Sequence, residues 1–307
     1  MTVDLKNAPP INGGNTNTRE YVFGERYRMF NDNYRDQVKK RLTEIYANAE
    51  LLKMDKQIDM TNNVYKTIVN KISRVYIEGV NREFSDEAMV EIYEDNSIDK
   101  YMKQANVYAN AFNDVLMQVS YDRERKKYIF VFRYPHKTKV KLGDNGQPSE
   151  VEYFIEKMED GDEKWAYWSD TEHYYKFYGS SEEDAREEAI EGNDGRVNPY
   201  GVLPFVFFQN GFRDGTFYDP FTGNDLVEAT LDVAVYNTFK NYMIKWQSFK
   251  QVVVQGNNLS RLDGQVLDPA KALVAEGDDI NIDVIDLQAN LKELQEVIDT
   301  QMNNVTI

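Results

Sequence analysis

The two histidines, His136 and His173, are the first residues to test for chemistry, because imidazole titrates near neutrality and is the commonest metal ligand. They stand far apart in sequence, and neither sits in an H-E-x-x-H or similar spacing that would place two ligands on one helix face. His136, in Y-P-H-K-T-K, reads as a turn residue, and His173, in H-Y-Y-K-F-Y, as a residue of an aromatic strand. The chain has no cysteine, which removes thiolate ligands, disulfides and a cysteine nucleophile, and fits synthesis in a reducing cytosol. The phosphate-cradling G-x-x-x-x-G-K-[ST] loop and the G-x-S-x-G nucleophile turn are both absent. With 52 acidic residues a hydrolytic carboxylate pair can always be drawn, so their number argues for none. The densest acidic run, Ser180 to Arg196, lacks the alternating Asp and Asn of a calcium loop; it reads as an exposed excursion, with Ser181 capping a short helix. The basic triplet Lys39-Lys40-Arg41 has no aromatic residue alternating with it and reads as a solvated helix face rather than a nucleic-acid site. These residues assign no catalytic group, no metal and no cofactor.

The charge balance narrows the partners. Lys and Arg total 36 against the 52 acids, a net charge of −16. A protein that grips DNA over a large basic face needs the opposite balance. A wall that DNA must slide past is a different case, since repulsion keeps the polymer from sticking. Hydrophobic residues make up 41% of the chain and aromatics 13%, which argues for packed cores in about two domains or one elongated one. No apolar run approaches the ~20 residues of a membrane helix, and M-T-V-D-L-K-N-A-P-P lacks a secretory apolar core. Residues 1–20, with Pro9, Pro10, Gly13 and Gly14, read as a flexible arm.

The elements of the chain are organised around Asn198 to Asn258. Asp225 to Lys250 contains no Pro or Gly and reads as a single helix about 39 Å long, with Asp225 and Glu228 as a capping box. One face carries Leu231, Val235, Phe239, Tyr242, Trp246 and Phe249; a second carries Leu226, Ala229, Val233 and Ile244. Two apolar faces call for two sets of neighbours. Gln251 to Gln255, with Val252, Val253 and Val254, reads as a short strand, and Ile280, Ile282 and Val284 alternate at strand period. Leu287, Leu291, Leu294 and Ile298 then mark a second amphipathic helix.

Before that stretch the pattern is helical, then β. Asn33 to Leu52 presents Val38, Leu42, Ile45, Ala49 and Leu52 on one face, and Asn63 to Glu78 presents Ile68, Ile72, Val75 and Tyr76, stopping near Gly79. Ser85 to Glu94 and Ser97 to about Asn113 read as two further helices, each with a capping serine. From Val115 the period becomes two: strands at Val115–Tyr121, Tyr128–Tyr134, Lys139–Leu142, Val151–Met158, Trp165–Trp168 and His173–Tyr178 form an antiparallel meander, with turns at Asn145-Gly146 and Asp160-Gly161. One face of that sheet is expected to bury against the helices and the other to stay half wet.

This order resembles the portal, or head-to-tail connector, proteins of tailed bacteriophages of the siphophage type. The resemblance rests on Gly201, Pro204, Phe208 and Asn210, which match a G-x-x-P-x-x-x-F-x-N-like segment, on the long helix, small β module and returning helix that follow, and on N-V-Y-K-T-I-V-N-K-I-S-R-V-Y-I-E-G (Asn63 to Gly79), which looks like the portal wing helix. It implies an α+β subunit with a wing of helices and antiparallel sheet (21–221), a stem helix (222–250), a clip (251–285) and a returning stem helix (286–307), with the tunnel loop and crown that follow in the family missing beyond Ile307. By the same resemblance the chain forms a homo-oligomeric ring, dodecameric in the virion, at the capsid vertex. The ring passes double-stranded DNA transiently and docks the terminase, head-completion or tail adaptor proteins, and major capsid or scaffolding protein. ATP turnover belongs to the terminase, so the chain itself is not an enzyme. The stem residues above would pack the subunits, and Val252, Val253, Val254, Ile280, Ile282 and Val284 would build the docking clip. Two other readings stay open: a non-catalytic protein-binding module that uses the aromatic sheet, and a carboxylate-dependent hydrolase.

Overall fold

The computed structural model describes residues 19–46, 54–76, 82–179, 185–192, 195–211, 215–247, 251–257, 278–285 and 291–306; for Val75, Tyr76 and part of the last four elements this holds for the backbone alone. The expected arm at 1–18, Ser181, Gly79, Ala49, Leu52, Phe249, Lys250 and Leu287 lie outside them. The chain is α+β with antiparallel sheets. It groups into two compact units, Met1–Asn33 with Tyr65–Val227, and Tyr34–Val64 with Glu228–Ile307.

The first unit opens on α1 (Arg19–Phe30), which has no counterpart among the helices expected from sequence and takes in the last residues of the expected arm. It buries Val22, Phe23, Arg26 and Met29. A buried arginine and a central glycine blur the apolar stripe that would have marked it. In the second unit, α2 (Arg35–Ile45) buries Val38 and Leu42, but Ile45, at its end, is exposed. α3 (Val64–Ile72) passes into a 3-10 turn, Ser73–Tyr76. Its inward residues are Val64, Tyr65 and Val69, while Ile72, expected inside, is 52% exposed. The Ser73 hydroxyl donates to the Val69 carbonyl at 2.6 Å, where the helix tightens. α4 (Glu87–Asp95) is capped by Asp86, whose carboxylate accepts from the Ala88 amide, not by Ser85. α5 (Ile98–Phe112) follows Ser97, which sits at φ 51° and makes no capping side-chain bond. A serine in that left-handed conformation cannot aim its hydroxyl at the N2 or N3 amide, which an extended N-cap does.

The β region forms two sheets, not one meander. β1 (Asp114–Asp122) lies between β2 (Lys127–Arg133) and β8 (Phe205–Gln209). The second sheet runs in order β3 (Thr138–Leu142), β4 (Pro148–Lys157), β5 (Glu163–Trp168), β6 (His173–Tyr178) and β7 (Arg186–Ala189). The break comes at Pro135–Lys137, a 3-10 turn whose proline cannot donate to a ladder. β7 falls inside the acidic run, and all four of its residues are exposed. The core lies between the sheets: Leu116 and Phe205 from the first, Val151, Tyr153, Ala166 and Trp168 from the second, and Phe217 from the following loop. The opposite face of the first sheet meets α5, with the Tyr108 ring 5.0 Å from Phe132 and Tyr101 4.7 Å from Phe130. The expected burial of sheet on helix therefore holds for one sheet only.

α6 (Asn224–Gln247) is the long helix. It starts one residue before Asp225, so that carboxylate lies within the first turn, where it favours the helix dipole, instead of capping it. β9 (Gln251–Asn257) and β10 (Asp278–Ile285) pair antiparallel, and α7 (Leu291–Thr306) closes the chain.

Candidate functional site

The segment of sequence before the long helix is held by its own polar groups. Asn198 is buried; its amide donates to the carbonyls of Ser169 at 2.7 Å and Val202 at 2.9 Å, and its side-chain oxygen accepts from the Tyr200 amide. The turn so made carries Gly201 at φ 64°. Pro204 is buried, and its carbonyl accepts from the Val119 amide. Phe208 pairs with Val115 in the β1–β8 ladder, and the Asn210 amide donates to the Asn113 carbonyl. Gly201, Pro204, Phe208 and Asn210 thus shape a turn and an edge strand, and the strand gives the first sheet its third member. Phe205–Gln209 is not among the strands expected from the sequence, because its partner β1 is remote along the chain.

The start of α6 is fixed by a buried cation that the sequence reading missed. Arg26 is 1% exposed, and its Nη2 lies 2.6 Å from the Thr222 carbonyl, 3.0 Å from that of Pro220 and 2.8 Å from Asn224 Oδ1. Burial pulls its pKa down, opposed by Tyr65, Asp219, Asp114 and Asp225. Asn113 donates to the carbonyls of Asp219 and Thr222, and Asp114 accepts from the Asp219 amide. No local pattern in the sequence joins these residues.

In the second unit, α6 packs against the segment Tyr34–Val64. Arg41 bonds Asp232 at 3.2 Å and pairs with Glu228, and Lys39 pairs with Asp55, so two members of the basic triplet are engaged within the chain. The Tyr46 ring stacks on Phe239 at 4.8 Å. The Asp59 amide donates to Thr238 Oγ1, and Asn241 donates to the Asp59 carboxylate. Burial alone would raise the Asp59 pKa; bonds from Thr61 and Asn241, with Lys240 nearby, outweigh it and hold the group low. Leu231, Val235 and Tyr242 from one expected face are buried, and so are Ala229 and Val233 from the other. Over Val227 to Thr238 both apolar faces are therefore already covered in the single chain. The two sets of neighbours that the sequence calls for are thus supplied there within the chain. Beyond Thr238 the covering thins: Phe239 is half-buried and Ile244 is 42% exposed.

α7 lies beside α6 in this unit, with Lys240 Nζ 2.9 Å from Gln295 Oε1, and Ile298 is buried. Trp246, Leu291 and Leu294 fall within the helices as expected; their side chains lie outside the described residues. In the hairpin, Val252 pairs with Val284, Val253 with Asp283 and Val254 with Ile282, and the register shifts between Asp278 and Asn281, around Ile280.

The histidines sit as the sequence implies. His136 occupies the 3-10 turn, 4.7 Å from the Tyr27 ring, and burial pushes its pKa down to about 3. His173 stands in β6 against Trp168, and burial lowers it to about 4. A cleft of about 490 Å³ opens beside β5 and β6, lined by Lys139, Asp160, Asp162, Glu163, Trp165 and Tyr178. Lys139 lies over both aromatic rings, and the Trp165 indole donates to Glu163, so these groups partner one another; no nucleophile is set against a base. Among the described residues no group of three or more His, Cys, Asp or Glu is placed to hold a metal, and no helix is long and apolar enough to cross a membrane. No protein-family model matches the chain, and no curated protein matches it.

Proposed function

We propose that the chain is a subunit of a portal ring of a tailed bacteriophage, a non-catalytic conduit for DNA at the capsid vertex. The observation that carries this reading is the order and pairing of the last four elements: a 24-residue helix, a two-stranded antiparallel hairpin, and a returning helix bonded back to the first through Lys240 and Gln295. A stem, a clip and a second stem require that order. The α+β part with two antiparallel sheets before it would serve as the wing. Ring closure would come from a heterologous contact that repeats around an axis. The last turns of α6, where Ile244 is exposed, are the part of the helix with apolar surface to spare for a neighbour. In this role the hairpin would dock the terminase and later the head-completion or tail adaptors. Capsid or scaffolding protein would surround the wing, and double-stranded DNA would pass without a lasting grip, consistent with a net charge of −16.

Native mass measurement with negative-stain imaging of the purified chain tests the reading. Closed rings with a central channel are the expected result. A monodisperse monomer at high concentration, with the helix content of α6 and α7 intact, would overturn it.

A further inference from the structure

β2 is the outer strand of the first sheet: β1 pairs with its inner side from Lys127 to Arg133, and among the described residues no strand pairs with its outer side. The Tyr128 amide faces outward and donates to Asn96 Oδ1 at 2.8 Å. Ladder bonds alternate along an antiparallel pair, so the amides of Phe130 and Phe132 face the same way. The run Tyr128 to Phe132 (Y-I-F-V-F) carries no charge, and Tyr128, Ile129 and Val131 are 37%, 41% and 37% exposed. Edges of this kind are ordinarily blunted with inward charges, proline, a bulge or a covering loop; here Asn96, between α4 and α5, covers the edge at Tyr128, and the β1–β2 register is unbroken along the rest of the strand.

Charge is placed at the ends instead. The turn holds Arg123, Arg125, Lys126 and Lys127, all exposed, in a chain that is acidic as a whole. Two acids share the turn: Asp122 accepts from the Glu124 and Arg125 amides and pairs with the Arg125 guanidinium at 3.7 Å, and Glu124 is exposed, so four cations against two acids leave the turn net positive. Two copies of β2 pairing antiparallel about Phe130 would set Lys127 against Arg133, a like-charge pair that disfavours self-association. An acidic strand meets no such penalty. A DNA backbone could use the turn but would leave the apolar edge unused.

We propose that the outer edge of β2 takes up an extended segment of a partner protein by strand addition, with apolar residues in alternation and acidic residues beside the Arg123–Lys127 turn. Main-chain bonds would supply the affinity and the turn the choice of partner. The edge lies within the first unit and does not depend on ring formation.

Fluorescence anisotropy on the full chain tests this with a labelled peptide of alternating valine and threonine ending in glutamates. The expected result is binding at least about tenfold tighter than that of a lysine-ended peptide. The preference should reverse in the variant Arg123→Glu, Lys126→Glu, whose two substitutions are exposed turn positions and leave the melting curve unchanged. Methylating alternate peptide amides should abolish binding, and hydrogen exchange at Phe130 and Phe132 should slow in the complex. Equal affinity for both peptides, or for the methylated one, overturns the proposal. So does a duplex DNA that binds through the turn while the peptide does not.

Discussion

Arg26 reaches the Thr222 carbonyl at 2.6 Å from a position with almost no solvent exposure, and the same nitrogen serves Pro220 and Asn224. A guanidinium is therefore the fastening of the loop that leads into α6. Replacing it with leucine takes this donor from the Pro220 carbonyl and the Asn224 amide oxygen, while the Thr222 carbonyl keeps Asn113, a loss of about 2–4 kcal/mol. Arg26→Lys keeps the charge, but a point-like ammonium cannot reproduce the planar fork, and it should recover less than half of that loss. Urea unfolding followed by the fluorescence of Trp165 and Trp168 reads both values; a leucine variant as stable as the parent would show that the loop is held by something else.

His136 makes the chain sensitive to acid. Its folded pKa is pushed down to about 3, whereas in the unfolded chain it returns to about 6.5. The unfolded state thus binds the extra proton first. Stability is full above about pH 6.5 and falls as the pH drops toward 3, by up to about 1.4 kcal/mol per pH unit for one proton. His136→Phe keeps a ring between Tyr27 and Tyr134 and removes the titration. Melting temperature against pH should be flatter for this variant between pH 6.5 and 4; parallel curves would exclude His136 as the cause.

The long elements were legible because one signal dominates each. Spacings of three and four across Leu231, Val235, Phe239 and Tyr242 mark α6, alternation at Ile280, Ile282 and Val284 marks β10, and Asn145-Gly146 gives a turn with Gly146 at φ 74°. What stayed hidden is non-local. The β1–β8 pairing joins Leu116 to Phe207 and depends on the tertiary fold, so a chain-order meander looked sufficient. The covering of α6 by Tyr34–Val64 is equally non-local: periodicity shows that Val233 and Val235 need neighbours, not whether those neighbours belong to the same chain. Asp86 and Ser85 are both good caps, and only backbone geometry decides between them.

Asn198 and Gly201 should separate two kinds of loop damage. Asn198→Ala removes a buried amide that serves two carbonyls and orients Tyr200, and should cost about 1–3 kcal/mol. At Gly201 an added Cβ would meet no atom within 4 Å, so Gly201→Ala carries only the penalty of φ 64°, about 1 kcal/mol. Thermal unfolding ranks them; a larger loss for Gly201→Ala would mean that the turn tolerates no adjustment.

Val235 and Ile244 stand on the same helix but answer different questions. Val235 is wholly buried in the chain, so an aspartate there places an unpaired charge in the core and should cost about 3–5 kcal/mol whether or not the protein assembles. Loss of rings in that variant would say nothing about the interface. Ile244 is 42% exposed, and Ile244→Asp, which gives up part of its apolar burial and places a carboxylate in the last turn of the helix, should cost the monomer about 1–2 kcal/mol and leave it folded. If a neighbouring subunit covers the last turns of α6, this substitution buries a carboxylate at each copy of the contact and should shift the assembly to monomers, as read by native mass. A folded Ile244→Asp variant that still closes into rings would place the contact between subunits elsewhere on the chain.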